Sequence, residues 1–370
     1  MLFLDSDLRT AMARSHETFE GRVVWITGAS SGIGRAMATQ LAKAGARLII
    51  SGRNVSALNE LRSHLLTLQP RGAAQEVILT GKTIDEAANA NPTHDLSPSS
   101  YQSTADTDSK PPSPYARNGR VSTESFSSVA SADRPTERVV VLPFDLSSLD
   151  TLPEFSTRAF DTFGRIDMVC LNAGVSQRSL AEQLPFSSVR HMMSVDCLSP
   201  ICIVKTLLPR LQQQGGARIL ISNTLQAKIA LPGRSSYGAS KAALRSWFDS
   251  LRAELEGQRL ADGITDKASQ LHVTQCLLGY VNTSLSLNAI GAGGQRHAAH
   301  DPTTSKGMSA DRAAQLMLRA AGAHVEEAWI GKRKELLHLN LCHYAPDLFA
   351  WGLRRQNRKR VLELRGHKRD

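Results

Sequence analysis

The strongest constraint on this chain is a glycine-rich turn at residues 27–34, TGASSGIG. An apolar run, VVWI at 23–26, precedes it, and residues 35–45, RAMATQLAKAG, follow with the spacing of a helix. Strand, turn and helix therefore come in that order. Gly28, Gly32 and Gly34 lack a Cβ and let the backbone turn tightly and approach a ligand. Exposed N–H groups and the dipole at a helix start favour a pyrophosphate. From Gly28 the spacing is G-x-x-x-G-x-G, distinct from the more widespread G-x-G-x-x-G fingerprint. Gly28, Ser30, Ser31, Gly32, Ile33 and Gly34 are the candidate cofactor-binding residues of this turn.

The pattern after the turn alternates strands with helices. RLII at 47–50 is a second strand, followed by a helix near 57–68. Residues 85–136 hold 22 Ser, Thr or Pro in 52 positions, too little apolar surface to offset the entropy of ordering. Residues 71–136 are therefore expected to be a mostly disordered insertion. Strands are expected at 138–142, 166–171, 217–221, 271–276 and 327–330. Helices are expected near 149–163, 184–213 (disturbed by Pro200), 235–256 and 310–321. Strands alternating with helical runs imply βαβ units and a parallel sheet. The expected fold is α/β, a Rossmann-like doubly wound sheet of about seven strands in one domain. Residues 1–20 would extend it at the N-terminus and 336–370 form a tail.

Ligands in such sheets bind at the carboxyl ends of strands. The turn, Arg53, Asp145 with Leu146, Asn172-Ala173-Gly174 and Thr224 all fall on predicted strand ends. A carboxylate at the end of the second strand would bond a ribose 2′-hydroxyl. Here Gly52 leaves that place empty and Arg53 follows, which favours NADP(H) and its 2′-phosphate. Tyr237 and Lys241, in YGASK, stand at i and i+4 on one helix face. An ammonium beside a phenol favours the phenolate, so the tyrosine can serve as an acid or base.

With these motifs together, the chain resembles the short-chain dehydrogenases/reductases over about residues 20–335, outside the insertion. TGASSGIG matches the family's TGxxxGxG, residues 172–174 its NAG, and 237–241 its YxxxK. Residues 173–179, 279–290 and 303–307 are similar to the member 7 and 7B branch. The resemblance implies an NADPH-dependent carbonyl reductase. Tyr237 would give the proton, and Lys241 would hold the nicotinamide ribose and assist the tyrosine. Val281 and Thr283 would meet the carboxamide. The 7B branch is linked to reduction of acyl- or alkyl-dihydroxyacetone phosphate, so a lipid-like ketone is the implied substrate, bound at Thr224 and Tyr237.

Three positions depart from the family pattern. Thr224 stands where a catalytic serine lies 13 residues before the tyrosine; it keeps the hydroxyl, but its methyl restricts χ1. Ser222, two residues away, is expected on the opposite strand face. Asp196 replaces the tetrad asparagine and brings a negative charge near Lys241. Leu278 replaces the proline of a Pro-Gly pair. These departures leave an alternative: an NADPH-binding regulatory or scaffold protein with a degenerate catalytic site. The substrate pocket is expected between residues 176–185, 224–234 and 285–304. Arg178, Lys228, Arg234 and Arg296 lie there; one or two are candidates to hold a substrate phosphate, with a surface cation the default reading for each.

The net charge of +10 is a property of the tail: residues 354–370 contain eight Lys/Arg against Glu363 and Asp370. No nucleic-acid footprint follows from it. Five scattered cysteines without metal spacing read as reduced thiols, and no metal is expected. Leu348, Phe349, Trp351 and Leu353 run into the basic cluster, a composition that suits either a membrane surface or a final docked helix. Family members are often homo-oligomers. Two Asn-x-Ser sequons at Asn54 and Asn282 lie in the expected cofactor loops, so the domain should not be lumenal. An intracellular, cytosol-facing protein is expected. The resemblance adds a peripheral place on an ER or peroxisomal membrane, although residues 368–370 carry no S-K-L address.

Overall fold

The computed structural model describes residues 5–7, 10, 12, 19–68, 137–263, 270–299 and 301–365. They all belong to one compact unit, Met1–Ala74 with Arg134–Asp370. The expected insertion at 71–136 lies outside the described residues.

Strand β1 (Val23–Thr27) is buried at every position. After the turn comes helix α1 (Gly32–Lys43), then β2 (Arg47–Ser51) and α2 (Val55–Thr67), capped by the Asn54 side chain on the Ala57 N–H. Next are β3 (Val139–Val141), α3 (Leu152–Phe163) and β4 (Met168–Leu171). Helices α4 (Phe186–Met193) and α5 (Ser199–Gln213) are separated by a π-turn at Ser194–Leu198. Then follow β5 (Ala217–Thr224), the 27-residue α6 (Ser235–Ala261) and β6 (Leu271–Leu278). A small pair, β7 (Val281–Asn282) and β8 (Met308–Ser309), brackets a short helix, α7 (Pro302–Ser305). The chain continues through α8 (Ala310–Gly322), β9 (Glu327–Ile330), α9 (Arg333–Tyr344) and α10 (Pro346–Leu364).

The main sheet has seven parallel strands in the order β3-β2-β1-β4-β5-β6-β9. The chain winds outward from β1 in one direction and then restarts at β4 in the other. That reversal opens a crevice between the carboxyl ends of β1 and β4. One face buries Met37 and Leu41 of α1, Leu58 and Leu61 of α2, and the small residues of α8. The other buries Phe163 of α3, Leu207 and Leu211 of α5, and Leu244 and Phe248 of α6. At the sheet edge, Ser6 bridges Ile330 in antiparallel sense, and Asp5 pairs with Arg312.

Pro200 explains the break in the helical run. It has no N–H to give the carbonyl of residue 196, and the preceding turn widens to the π form. Among the described residues, the stretch Phe186–Gln213 alone is long and apolar enough to cross a membrane by composition, but half of it is buried in this fold. The tail forms two helices, with Leu339 and Leu353 packed inward.

Trp25 is fully buried, and its indole N–H donates to Ser51 Oγ at 2.9 Å. Trp25→Ala should cost about 3–5 kcal/mol, and Ser51→Ala, which orphans the N–H, about 1–3 kcal/mol. Urea denaturation measures both; equal costs would contradict this ranking.

Candidate functional site

A cleft of about 810 Å³ lies over the carboxyl ends of the strands. Its walls include Gly28, Ser30, Ser31, Gly32, Ile33, Arg53, Asp145, Leu146, Asn172, Ala173, Gly174, Thr224, Tyr237, Lys241, Val281 and Thr283. Two sequence candidates do not line it. Gly34 lies under the turn, where a Cβ would stand 2.6 Å from Asn172 Nδ2. Asp196 is fully buried beneath the floor.

The turn and the end of β4 are locked together. Thr27 Oγ1 donates to Cys170 O at 3.2 Å and accepts from the N–H groups of Asn172 and Ala173. Asn172 Nδ2 in turn reaches Thr27 O at 3.2 Å. The start of α1 has no side-chain cap and no acidic residue in its first turn. Its free N–H groups therefore face the cleft and fit a phosphate-bearing cofactor. Arg53 is exposed and lines the cleft, as do Gly52 and Asp145.

Helix α6 supplies the opposite wall. Tyr237, Ser240, Lys241, Leu244 and Phe248 share its buried face, so packing of the last two fixes the first three. Lys241 Nζ lies 3.4 Å from Ser222 O and 3.9 Å from Asp196 Oδ1. The π-turn rotates Asp196 inward. Its Oδ1 accepts the Val175 N–H at 2.8 Å, and Ser240 Oγ stands 3.4 Å from Oδ2. Burial pushes the Asp196 carboxyl up from its usual 3.8 to about 6, against the opposing pull of Lys241, the Val175 N–H and Ser240. Gly174 is required by this pair: a Cβ would sit 2.8 Å from Asp196 Oδ1 and 3.5 Å from Lys241 Nζ.

Thr224 Oγ1 is engaged, donating to Leu278 O at 3.3 Å and accepting from the Gln226 N–H at 3.3 Å. The expectation for Ser222 is corrected. Residues two apart in a strand share a face, and Ser222 and Thr224 both line the cleft. Ser222 Oγ donates to Asn172 Oδ1 at 3.0 Å.

Several residues of the site were not recognised in the sequence. Gln177 Oε1 accepts the N–H groups of Ser236 and Tyr237 at 2.8 and 3.3 Å, capping α6 from 59 and 60 positions away. Glu335 of α9 accepts the Tyr280 N–H at 3.2 Å and so holds the loop before Val281. The surface reading of Arg178 and Arg234 is also corrected: both are buried. Lys228 instead pairs with Glu327, and Arg296 is exposed.

A sequence model of the family described as short chain dehydrogenase matches residues 22–89 and 118–287. A Drosophila melanogaster protein, Dehydrogenase/reductase SDR family protein 7-like, is 28% identical over 90% of this chain and 79% of its own length. Mus musculus Dehydrogenase/reductase SDR family member 7B is 27% identical over 91% of this chain and 81% of its own length. Among solved structures, a Burkholderia phymatum short chain dehydrogenase/reductase in complex with NAD superposes with a TM-score of 0.62 at 16% identity. It covers 90% of this chain and 96% of that one. An alcohol dehydrogenase from Thermococcus sibiricus, complexed with 5-hydroxy-NADP, superposes at 0.52 and 20% identity, covering 85% and 97%. At these identities the structural likeness speaks for the fold.

The raised Asp196 value makes a prediction about stability. Between about pH 4 and about pH 6 the folded state keeps a proton that the unfolded state releases, so stability falls as pH rises through that window. Asp196→Asn removes this dependence. Relative to the variant, the wild type should lose up to about 3 kcal/mol between pH 4 and pH 7, read by denaturant melts at each pH. A difference that stays constant with pH would contradict the assignment.

Proposed function

Since the chain belongs to the short-chain dehydrogenase/reductase family of oxidoreductases, we propose that it is an NADPH-dependent carbonyl reductase acting on a lipid-like ketone. The observation that carries this reading is the placement of Tyr237 and Lys241 on one wall of a single cleft whose other wall is the uncapped start of α1.

NADPH, when bound, supplies the hydride. The N–H groups at the start of α1 would hold its pyrophosphate, and Arg53 its 2′-phosphate. Val281 and Thr283 line the cleft beside Leu278 and suit the carboxamide end. The Tyr237 hydroxyl donates a hydrogen bond to the substrate carbonyl oxygen and then yields its proton to that oxygen. The Lys241 ammonium stabilises the phenolate left behind. Thr224 can orient the same carbonyl once its hydroxyl turns from Leu278 O. Resemblance to the 7B branch supports acyl- or alkyl-dihydroxyacetone phosphate as the substrate.

Helix α10 supports a membrane location. Its inner side docks through Leu353 and Phe349. Its outer side exposes Leu348, Trp351 and Leu362 together with Arg354, Arg355, Arg358 and Lys359. Apolar and cationic side chains mixed in this way suit an anionic lipid surface. The docked-helix reading fits the inner side and the membrane-surface reading draws its support from the outer side. Leu348→Glu with Trp351→Glu should release the protein from anionic vesicles in a flotation assay without disturbing the inner side. Unchanged flotation would count against the membrane.

A second reading, an NADPH-binding regulatory or scaffold protein, is favoured by Asp196 beside Lys241 and by the engaged Thr224 hydroxyl. NADPH consumption with acyl-dihydroxyacetone phosphate separates the two. The reductase reading predicts turnover that drops about 100-fold or more in Tyr237→Phe while NADPH still binds. Cofactor binding without turnover in the wild type would favour the second reading. Arg53→Ala should lower the preference for NADPH over NADH by about 10- to 100-fold; an unchanged preference would show that Arg53 does not hold the 2′-phosphate.

A further inference from the structure

We propose that Arg178, Arg234 and Arg360 form a subsite for the phosphomonoester of a substrate, beside Tyr237. The proposal rests on the reductase reading and deepens it. Arg178 comes from the loop after β4, Arg234 from the start of α6, and Arg360 from α10. All three guanidinium groups converge on a single oxygen, Oδ2 of Asp301, at 3.2, 3.7 and 3.2 Å. The side chains of Arg178, Arg234 and Asp301 are only 4%, 6% and 4% exposed.

The charges in this cluster do not balance. Among the described residues, Asp301 is the one carboxylate that meets all three, and Glu363 meets Arg360 at 3.6 Å. Among the described residues, three cations therefore face two anions. Isolated buried cations are costly unless paired. Burial, followed by the neighbouring Arg178 charge, pulls the Arg234 guanidinium down. Burial and then Arg178 lower the His297 imidazole in the same region. Asp301 itself is held low: burial would raise it, but the Thr303 N–H and the three arginines outweigh that.

The donor capacity is also unspent. Besides Asp301, Arg178 and Arg234 both reach Ser176 Oγ, at 3.1 and 2.9 Å, and Arg178 reaches Gln177 O at 2.9 Å. A guanidinium has five N–H donors in a fixed fork that matches a phosphate. The segments that carry Arg178 and Asp301 also carry buried hydroxyls without a partner, Ser179 and Thr304. A tetrahedral oxyanion with several acceptor oxygens would use both forks. The reacting centre is near: the Arg234 guanidinium lies 5.9 Å from the centre of the Tyr237 ring. Arg360, with its side chain 32% exposed, marks the side from which the group would enter.

The test is calorimetric titration of the full chain with inorganic phosphate, with NADP⁺ saturating the cofactor site so that the start of α1 is occupied. Wild type should bind phosphate, and Arg178→Gln and Arg360→Gln should each weaken it by about ten-fold or more. In parallel, the ratio of kcat/KM for dihydroxyacetone phosphate over dihydroxyacetone should fall by about ten-fold or more in the same variants. NADP⁺ binding reports that each variant is folded, and the partly exposed Arg360 carries the decision if Arg178→Gln is not. Phosphate affinity equal to wild type in a folded variant overturns the subsite, as does an unchanged ratio. Turnover of neither ketone would sink the reductase reading for such ketones, while the calorimetry would still decide the subsite.

Discussion

Lys241 is the residue on which the rest of the site depends. Its ammonium is nearly buried and lies between the Ser222 carbonyl of β5 and the Asp196 carboxylate of the π-turn. A buried cation tolerates such a place only with partners on several sides. The partners come from different layers: β5 of the sheet, the π-turn between two helices, and α6, which carries the lysine. Gly174 has no side chain because none would fit between Asp196 and Lys241. Gln177, three residues further on, caps the helix on which Tyr237 stands. The loop after β4 therefore lines the cleft and caps the helix that carries Tyr237 at once.

The cationic groups fall into two clusters. On the proposed cofactor side lie the start of α1 and Arg53, both suited to phosphate. On the proposed substrate side, arginines from three distant segments gather around Asp301. Helix α10 joins that cluster through Arg360 on its inner side and presents aromatic and basic residues outward. A substrate with an apolar chain and an anionic head would meet both faces of one helix.

Much of this architecture is legible in the sequence because its signals are local. The strand before the glycine-rich turn, the alternation of apolar runs and the four-residue spacing of Tyr237 and Lys241 are short-range patterns. β9 falls on the expected 327–330. Strand and helix ends shift by a few residues, since fraying and capping depend on neighbours. What stays hidden is long-range. Pro200 shows that the helix near it is disturbed, but it does not show that a π-turn swings Asp196 under the lysine. Arg178 looks like a loop cation until Asp301, 123 positions away, closes on it. Glu335 acts on the Tyr280 N–H across 55 positions, and no motif announces it.

The central claim is that Lys241 serves Tyr237 while sharing its charge with Asp196. Single-turnover hydride transfer from NADPH, followed at saturating ketone as a function of pH in wild type and Asp196→Asn, tests it most directly. Removing the opposing charge should make the variant faster above about pH 6. The two rates should converge below that value, where Asp196 takes up its proton. A variant that is equally fast or slower at pH 8 would contradict the account.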